Sequence, residues 1–308
     1  MTSNAAQDFS FPQGFWLWLK ERFPPAVWLL SIFFYFSSAF FVRGAQGGDL
    51  LRVFDIVGLV AAWSFFLFLR VLDEHKDYQE DCMNYPERVL QRGIITLSQL
   101  RKVGAACIVL QLVANVIVAP KPAAALVAWG IMMVWTGLMT FEFFVSKWLK
   151  SHLILYGISH MLVTPLSIYW MMKMGAPDGD KLPFTSIAMP ALSFFAGLLF
   201  EVTRKTKGED EERTAVDSYS KSLGVKVCLQ LMKSNVTAMV AITFFLLIGK
   251  TSFLPGIVFV IALSLITMWQ FGKFPGDPTA KQRKRNEGLV ALFIIAVYGT
   301  YLTAAWIG

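Results

Sequence analysis

Apolar residues run through this chain in blocks of about twenty, divided by short polar or charged stretches. An α-helix rises about 1.5 Å per residue, so each block is long enough to cross a hydrocarbon core of roughly 30 Å. The pattern predicts nine spans, over 25–42, 51–72, 99–119, 123–146, 151–173, 184–203, 225–248, 253–271 and 288–307. Pro24 and Pro25 mark the start of the first and Gly249 the end of the seventh. Only Lys147 and Lys150 interrupt the apolar run where the fourth and fifth spans are divided. The expected fold class is an all-α integral membrane protein, with nine transmembrane helices in one bundle around a central cavity, over residues 25–308. Residues 1–24 read as a cytoplasmic tail with an interfacial amphipathic helix, in which Phe15, Trp16, Trp18 and Leu19 accompany Lys20 and Arg22. No cationic segment leads directly into an apolar one there, so no cleaved signal peptide is expected.

Composition agrees with the pattern. Of 308 residues, 56% are hydrophobic and 16% charged, against roughly 25% charged in a soluble domain. With mean hydropathy +0.54, a water-soluble enzyme and a disordered chain are excluded. Cys82, Cys107 and Cys228 lie far apart without metal-ligand spacing, so neither a zinc site nor a disulfide framework is indicated. Nine spans put the termini on opposite sides. Twenty Lys and Arg then fall on the N-terminal side and six on the other: Arg43, Arg52, Lys121, Lys173, Lys181 and Lys250. Arg70 and Lys233 fall within spans. The positive-inside rule sets the N-terminus and the basic loops in the cytoplasm. The net charge of +7 is assigned to those loops, and no nucleic-acid partner is expected.

Two of the basic loops also hold most of the carboxylates. The first continues the second span as Arg70-Val-Leu-Asp73-Glu74-His75-Lys76-Asp77-Tyr78-Gln79-Glu80-Asp81. If the helix carries on past the apolar core, Asp73, Asp77 and Asp81 share one face, with Glu74 beside it and Arg70 one turn before. Like charges at that spacing destabilise a helix by a few tenths of a kcal/mol per pair, so the ladder calls for a cation. Mg²⁺ keeps waters and commonly bridges one or two carboxylates to substrate phosphates, so the ladder suits a Mg²⁺–diphosphate complex. The same residues would also serve as a solvated helix end with Lys76–Glu80 as an ordinary pair.

Next comes Asn84-Tyr85-Pro86-Glu87-Arg88, then Arg92-Gly93. Arg88 and Arg92 are one helical turn apart, and guanidinium forks match phosphate oxygens. Positive-inside anchoring would place arginines here as well. The second segment follows the sixth span: Glu201, Arg204, Lys205, Lys207, the run Glu209-Asp210-Glu211-Glu212-Arg213, then Asp217-Ser218-Tyr219-Ser220-Lys221 and Leu223-Gly224. Glu201 ends a hydrophobic run, where an idle charge is costly, whereas 209–212 suits a solvated loop. Gly93–Gln99 and Gly224–Gln230 echo each other weakly, each opening a span after a charged loop.

Acidic motifs after the second and sixth of nine spans resemble the UbiA superfamily of intramembrane prenyltransferases. The first motif of that family reads N-D-x-x-D-x-x-x-D. Here the segment from Asp73 to Asp81 matches it with Asp for Asn and Glu74 for the first Asp, while Asp77 and Asp81 fall on the remaining two. Arg88 and Arg92-Gly93 resemble the basic turn that follows. The second motif, D-x-x-x-D, is replaced by Glu201, Glu209, Asp210 and Asp217, and Ser218-Tyr219-Ser220 with Leu223-Gly224 is similar to its closing turn.

The resemblance implies Mg²⁺ held by Asp73, Glu74, Asp77, Asp81, Glu201 and Asp210. It implies an isoprenyl diphosphate, farnesyl or longer, held by Arg70, Asn84, Arg92, Arg204, Lys205, Tyr219 and Lys221. Asp73, Asp77, Asp81 and Arg88 would be catalytic. Loss of diphosphate would leave an allylic cation in a dry apolar pocket, to be captured by a lipophilic acceptor. Trp63, Phe66, Tyr156, Trp170 and Phe195 are conceivable cation-facing aromatics, though core packing also explains them. His152 and His160 share a face of the fifth span and suit packing or a lone hydrogen bond.

The altered motifs keep a terpene cyclase of the same superfamily as an alternative. A transporter would place its charges near the bilayer midplane, where only Asp55, Glu142 and Lys233 are candidates. A CDP-alcohol phosphotransferase would need a D-G-x-x-A-R signature, which is absent. The two charged loops are expected to converge over the cavity.

Overall fold

A computed structural model describes residues 9–212, 218–247 and 254–307, and among them every regular element is helical. The first eight residues of the tail, Arg213, Asp217, Gly249 and Lys250 lie outside the described residues. Nine helical segments among those described are long and apolar enough to cross a membrane. They run Val27–Gln46, Asp55–Lys76, Leu97–Val118, Pro122–Thr140, Leu153–Gly175, Phe184–Arg204, Val225–Leu247, Leu254–Gly276 and Ala280–Ala304.

Three boundaries differ from the hydropathy pattern for local reasons. The fourth span stops at Thr140 rather than 146, because Glu142, Phe143 and Phe144 adopt positive φ (48°, 53° and 60°), which no right-handed helix accommodates. Glu142 therefore lies beyond the span and not inside it. The fifth loses one regular turn at Leu162, since Pro165 has no N–H to offer Met161. The ninth begins eight residues earlier than its apolar run. Its first turns carry Lys281, Arg283, Lys284 and Arg285, and Arg283 is bonded to Glu287 one turn on.

The chain divides into two compact units. The first comprises residues 1–32 and 54–118. It contains α1 (Phe11–Arg22), the opening of α2 (Pro25–Gln46), α3 (Asp55–Lys76), α4 (Tyr78–Asn84) and α5 (Leu97–Val118). α3 packs along α5, and Gly104 admits Val71 and Phe68 at close range, as small residues do between membrane helices. α1 is built into this unit. Trp18 and Leu19 are buried, and Gly14 lies so close to the Ile94 carbonyl that a Cβ would meet its oxygen at 2.6 Å. Trp16 stays exposed on the opposite side, with the Lys20 ammonium over its ring.

The second unit comprises residues 33–53 and 119–308. Its spans are α6 (Pro122–Thr140), α8 (Leu153–Met161) with α9 (Val163–Gly175), α10 (Ala188–Arg204), α12 (Val225–Leu247), α13 (Leu254–Phe271) and α14 (Ala280–Ile307). Short helices α7 (Ser146–Lys150) and α11 (Tyr219–Leu223) join them. α10 lies against α8, α9, α12 and α14. Arg43, fully buried on α2, donates to the carbonyls of Gly175 (2.9 Å) and Leu50 (2.6 Å). It therefore closes the C-terminus of α9, where orphan carbonyls favour a cation, besides counting toward topology.

Candidate active site

In the first unit the charged residues gather where α3 leaves its apolar stretch. Asp77 caps α3 and leads into α4. The helical ladder continues through it: the Asp77 N–H donates to the Asp73 carbonyl (2.9 Å), that of Asp81 to Asp77 (2.8 Å) and that of Tyr85 to Asp81 (2.8 Å). The i, i+4, i+8 succession expected from spacing is thus present, with a bend at its middle member. Asp73 is half-exposed, whereas Glu74 and Asp81 are buried.

Buried carboxylates need partners, and arginines supply them. Glu74 Oε1 accepts from Arg22 Nε (2.6 Å) and from Arg70 Nη2 (2.9 Å) and Nε (3.2 Å). Asp81 Oδ2 accepts from Arg88 Nη1 (2.6 Å) and Arg22 Nη2 (3.5 Å). The Arg88 guanidinium also lies 3.6 Å from the centre of the Tyr85 ring. Arg70 reaches Asp73 at 3.4 Å. Asn84 donates to the Glu80 carbonyl and so finishes α4, while Arg92 is exposed.

The sequence reading missed Arg22 as a member of this cluster. It stands 52 residues from Glu74 and 59 from Asp81, and nothing in the local pattern links them. Its neighbour Glu21 accepts from the Val89 N–H at 3.0 Å, which ties α1 to the turn carrying Arg88.

In the second unit the charged segment follows α10. Glu201 is bound by Arg204 and Lys205, each at 2.7 Å. Glu212 accepts from the hydroxyls of Ser218 (2.5 Å) and Ser220 (2.8 Å), and the Tyr219 N–H donates to the Lys205 carbonyl (3.0 Å). Glu211 is bound by Arg283 at 2.8 Å. Two of the four carboxylates in 209–212 are thus structural, where a solvated loop was expected, while Asp210 and Lys221 are exposed.

Tyr219 is buried, and its hydroxyl makes no hydrogen bond among the described residues. Burial, and then the Glu201 carboxylate, push its phenol above the ordinary range, so it stays protonated as a donor. It fits against α8 because residue 157 is Gly: a Cβ there would stand 2.1 Å from the Tyr219 oxygen. Gly157→Ala is expected to destabilise the protein by about 1–3 kcal/mol, the usual range for overpacking, and to lower the melting temperature accordingly.

Tyr156 stacks on His160 at 3.9 Å between ring centres, with the Lys205 ammonium 5.7 Å from its own. His152 and His160 each engage the carbonyl one turn back. Trp63 is packed by Phe23 and Trp28, Phe66 by Phe65, Phe195 by Phe194, and Trp170 is fully buried. Gly93 (φ 74°) and Gly224 (φ 78°) both take a positive φ ahead of a span, which glycine tolerates.

No family model matches the sequence, and no curated protein matches it significantly. Solved structures do. A structure from work on digeranylgeranylglyceryl phosphate synthase in membranes is similar with TM-score 0.65 and 15% identity, over 96% of this chain and 98% of the other. An apo UbiA homologue from Aeropyrum pernix K1 gives 0.64 and 14%, over 88% and 97%. This is the UbiA fold. A UbiA homologue from Archaeoglobus fulgidus bound to GPP and Mg²⁺ shares it, with TM-score 0.55 and 13% identity over 90% and 98%. On this UbiA fold the residues matched to the first motif occupy the end of the second span and the helix after it.

Proposed function

We propose that this protein is a Mg²⁺-dependent intramembrane enzyme of the UbiA superfamily. It ionises an isoprenyl diphosphate, farnesyl or longer, and transfers the prenyl group to a lipophilic acceptor. The observation that carries this reading is the acid–arginine cluster at the end of α3, on a UbiA fold: Asp73, Glu74 and Asp81 with Arg70 and Arg88 within 3.5 Å of them. The homologue bound to GPP and Mg²⁺ supports the substrate class.

The donor chemistry suits Mg²⁺, although among the described residues no three carboxylates stand close enough together to hold one ion by themselves. All candidate ligands are hard carboxylate oxygens, and the ion needs one or two of them when it keeps waters and shares phosphates. Asp73 is half-exposed, and the second oxygen of Glu74 is buried and accepts no hydrogen bond. Asp73 and Asp77 carry the metal reading furthest, with Glu74 and Asp81 beside them; Glu201 and Asp210 are the corresponding candidates in the second segment. When bound, the metal neutralises diphosphate charge and so improves the leaving group.

The chain's own residues do the rest. Arg70 and Arg88 bind phosphate oxygens, with Asn84 and Arg92 as further donors; Arg204, Lys205, Tyr219 and Lys221 are the corresponding candidates in the second segment. The apolar spans exclude water from the allylic cation. The excess of basic residues puts these loops and the N-terminus on the cytoplasmic side.

Product analysis of the purified protein with farnesyl or geranylgeranyl diphosphate, with and without Mg²⁺, tests the proposal. Prenylation of a lipophilic acceptor, lost on metal removal, is expected. A cyclic hydrocarbon formed without acceptor would make the protein a cyclase. No release of diphosphate under any condition would overturn the reading.

A further inference from the structure

Arg22 is the cation that no motif assigns, and it joins two halves of the acid cluster. Its Nε is 2.6 Å from Glu74 Oε1 and its Nη2 is 3.5 Å from Asp81 Oδ2. These two carboxylates hold the two arginines proposed to meet the diphosphate: Glu74 holds Arg70 and Asp81 holds Arg88. The side chains therefore form one alternating relay, Arg70–Glu74–Arg22–Asp81–Arg88. Arg22 is its middle member, and its own side chain is only 17% exposed.

We propose that Arg22 is a positioning residue of the diphosphate site, and that α1 is thereby a working part of the enzyme and not only an anchor at the interface. This rests on the function proposed above. A buried carboxylate shared by two guanidiniums leaves each less than fully satisfied, and so available to a phosphate oxygen. Without Arg22, Glu74 would close on Arg70 alone and Asp81 on Arg88 alone, with each arginine neutralised by its partner. The planar fork suits this bridging role, since one guanidinium offers several donors in fixed directions.

α1 delivers that fork by contacts that do not involve Glu74 or Asp81. Trp18 and Leu19 are buried, Gly14 permits the close approach to Ile94, and Glu21 holds the Val89 N–H. The Glu21 contact separates docking of the helix from delivery of the guanidinium.

The experiment measures binding of inorganic pyrophosphate in the presence of Mg²⁺ by calorimetry on full-length Arg22→Gln, Arg22→Ala and Glu21→Gln in detergent. Melting temperature serves as the folding control. Arg22→Gln keeps most of the packing stem, so it decides the matter if Arg22→Ala does not fold. Both Arg22 variants are expected to bind pyrophosphate about tenfold more weakly or worse, as for loss of a charge-assisted network. Glu21→Gln should stay within about twofold of wild type, the range of a minor surface contact. With a prenyl diphosphate, Arg22→Gln should raise KM by a larger factor than it lowers kcat.

Unchanged pyrophosphate affinity in Arg22→Gln would overturn the inference. So would an equal loss in Glu21→Gln, because helix docking alone would then explain it. Wild-type prenyl turnover with an unaffected Arg22→Gln variant would leave the function standing and remove the inference. A wild-type protein that binds pyrophosphate through Arg22 but turns over no prenyl diphosphate would do the reverse.

Discussion

Asp77→Ala is expected to abolish turnover of prenyl diphosphate while leaving the protein folded. Asp77 sits where α3 passes into α4, and its main-chain bonds to Asp73 and Asp81 are those that an alanine would also make. The backbone cost is therefore small, and what disappears is one carboxylate beside Asp73. Loss of an outer partner of a metal ligand typically costs 10- to 100-fold, so loss of a proposed ligand should cost at least about a hundredfold in kcat/KM. The check is turnover titrated with Mg²⁺, beside a melting curve that matches wild type. Near-normal activity, or full wild-type activity in EDTA, would end the metal–diphosphate reading.

Arg88→Ala is expected to have the next largest effect. Arg88 is held on both sides: its Nη1 bonds Asp81 at 2.6 Å, and its guanidinium carbon stands 3.6 Å from the centre of the Tyr85 ring. A cation so held has lost little freedom when it meets a phosphate, which makes its contribution large. A charge-assisted hydrogen bond contributes about 1.5–3 kcal/mol, so affinity for the prenyl diphosphate should fall roughly 10- to 150-fold. Arg88→Lys should recover only part of this, because an ammonium neither stacks on Tyr85 nor presents a fork. Arg204 is half-exposed and Arg92 exposed, so their alanine variants should lose less. If Arg88→Ala binds prenyl diphosphate as wild type does, the basic turn is a topology signal alone.

Much of this was legible along the chain because its causes are local. Nine apolar runs give nine membrane-long helical segments among the described residues, since a backbone in hydrocarbon must satisfy its own hydrogen bonds and a helix does so unaided. The spacing of Asp73, Asp77 and Asp81 survives as successive main-chain bonds, because i to i+4 is a property of one helix. The charged run of 281–287 was read as loop because hydropathy marks the membrane and not the helix. Positive φ at Glu142, Phe143 and Phe144 ends the fourth span inside an apolar run that gives no such sign.

The tertiary structure alone decided which charges meet. Glu74 turned inward to Arg22 and Arg70, Glu211 went to Arg283 of α14, and Glu212 went to the hydroxyls of Ser218 and Ser220. Spacing shows that a carboxylate stands at a helix end, but a buried charge takes whichever cation the packing brings within about 3 Å. For Glu74 and Asp81 that cation came from an amphipathic helix more than fifty residues earlier in the chain, set in place by Gly14, Trp18 and Leu19.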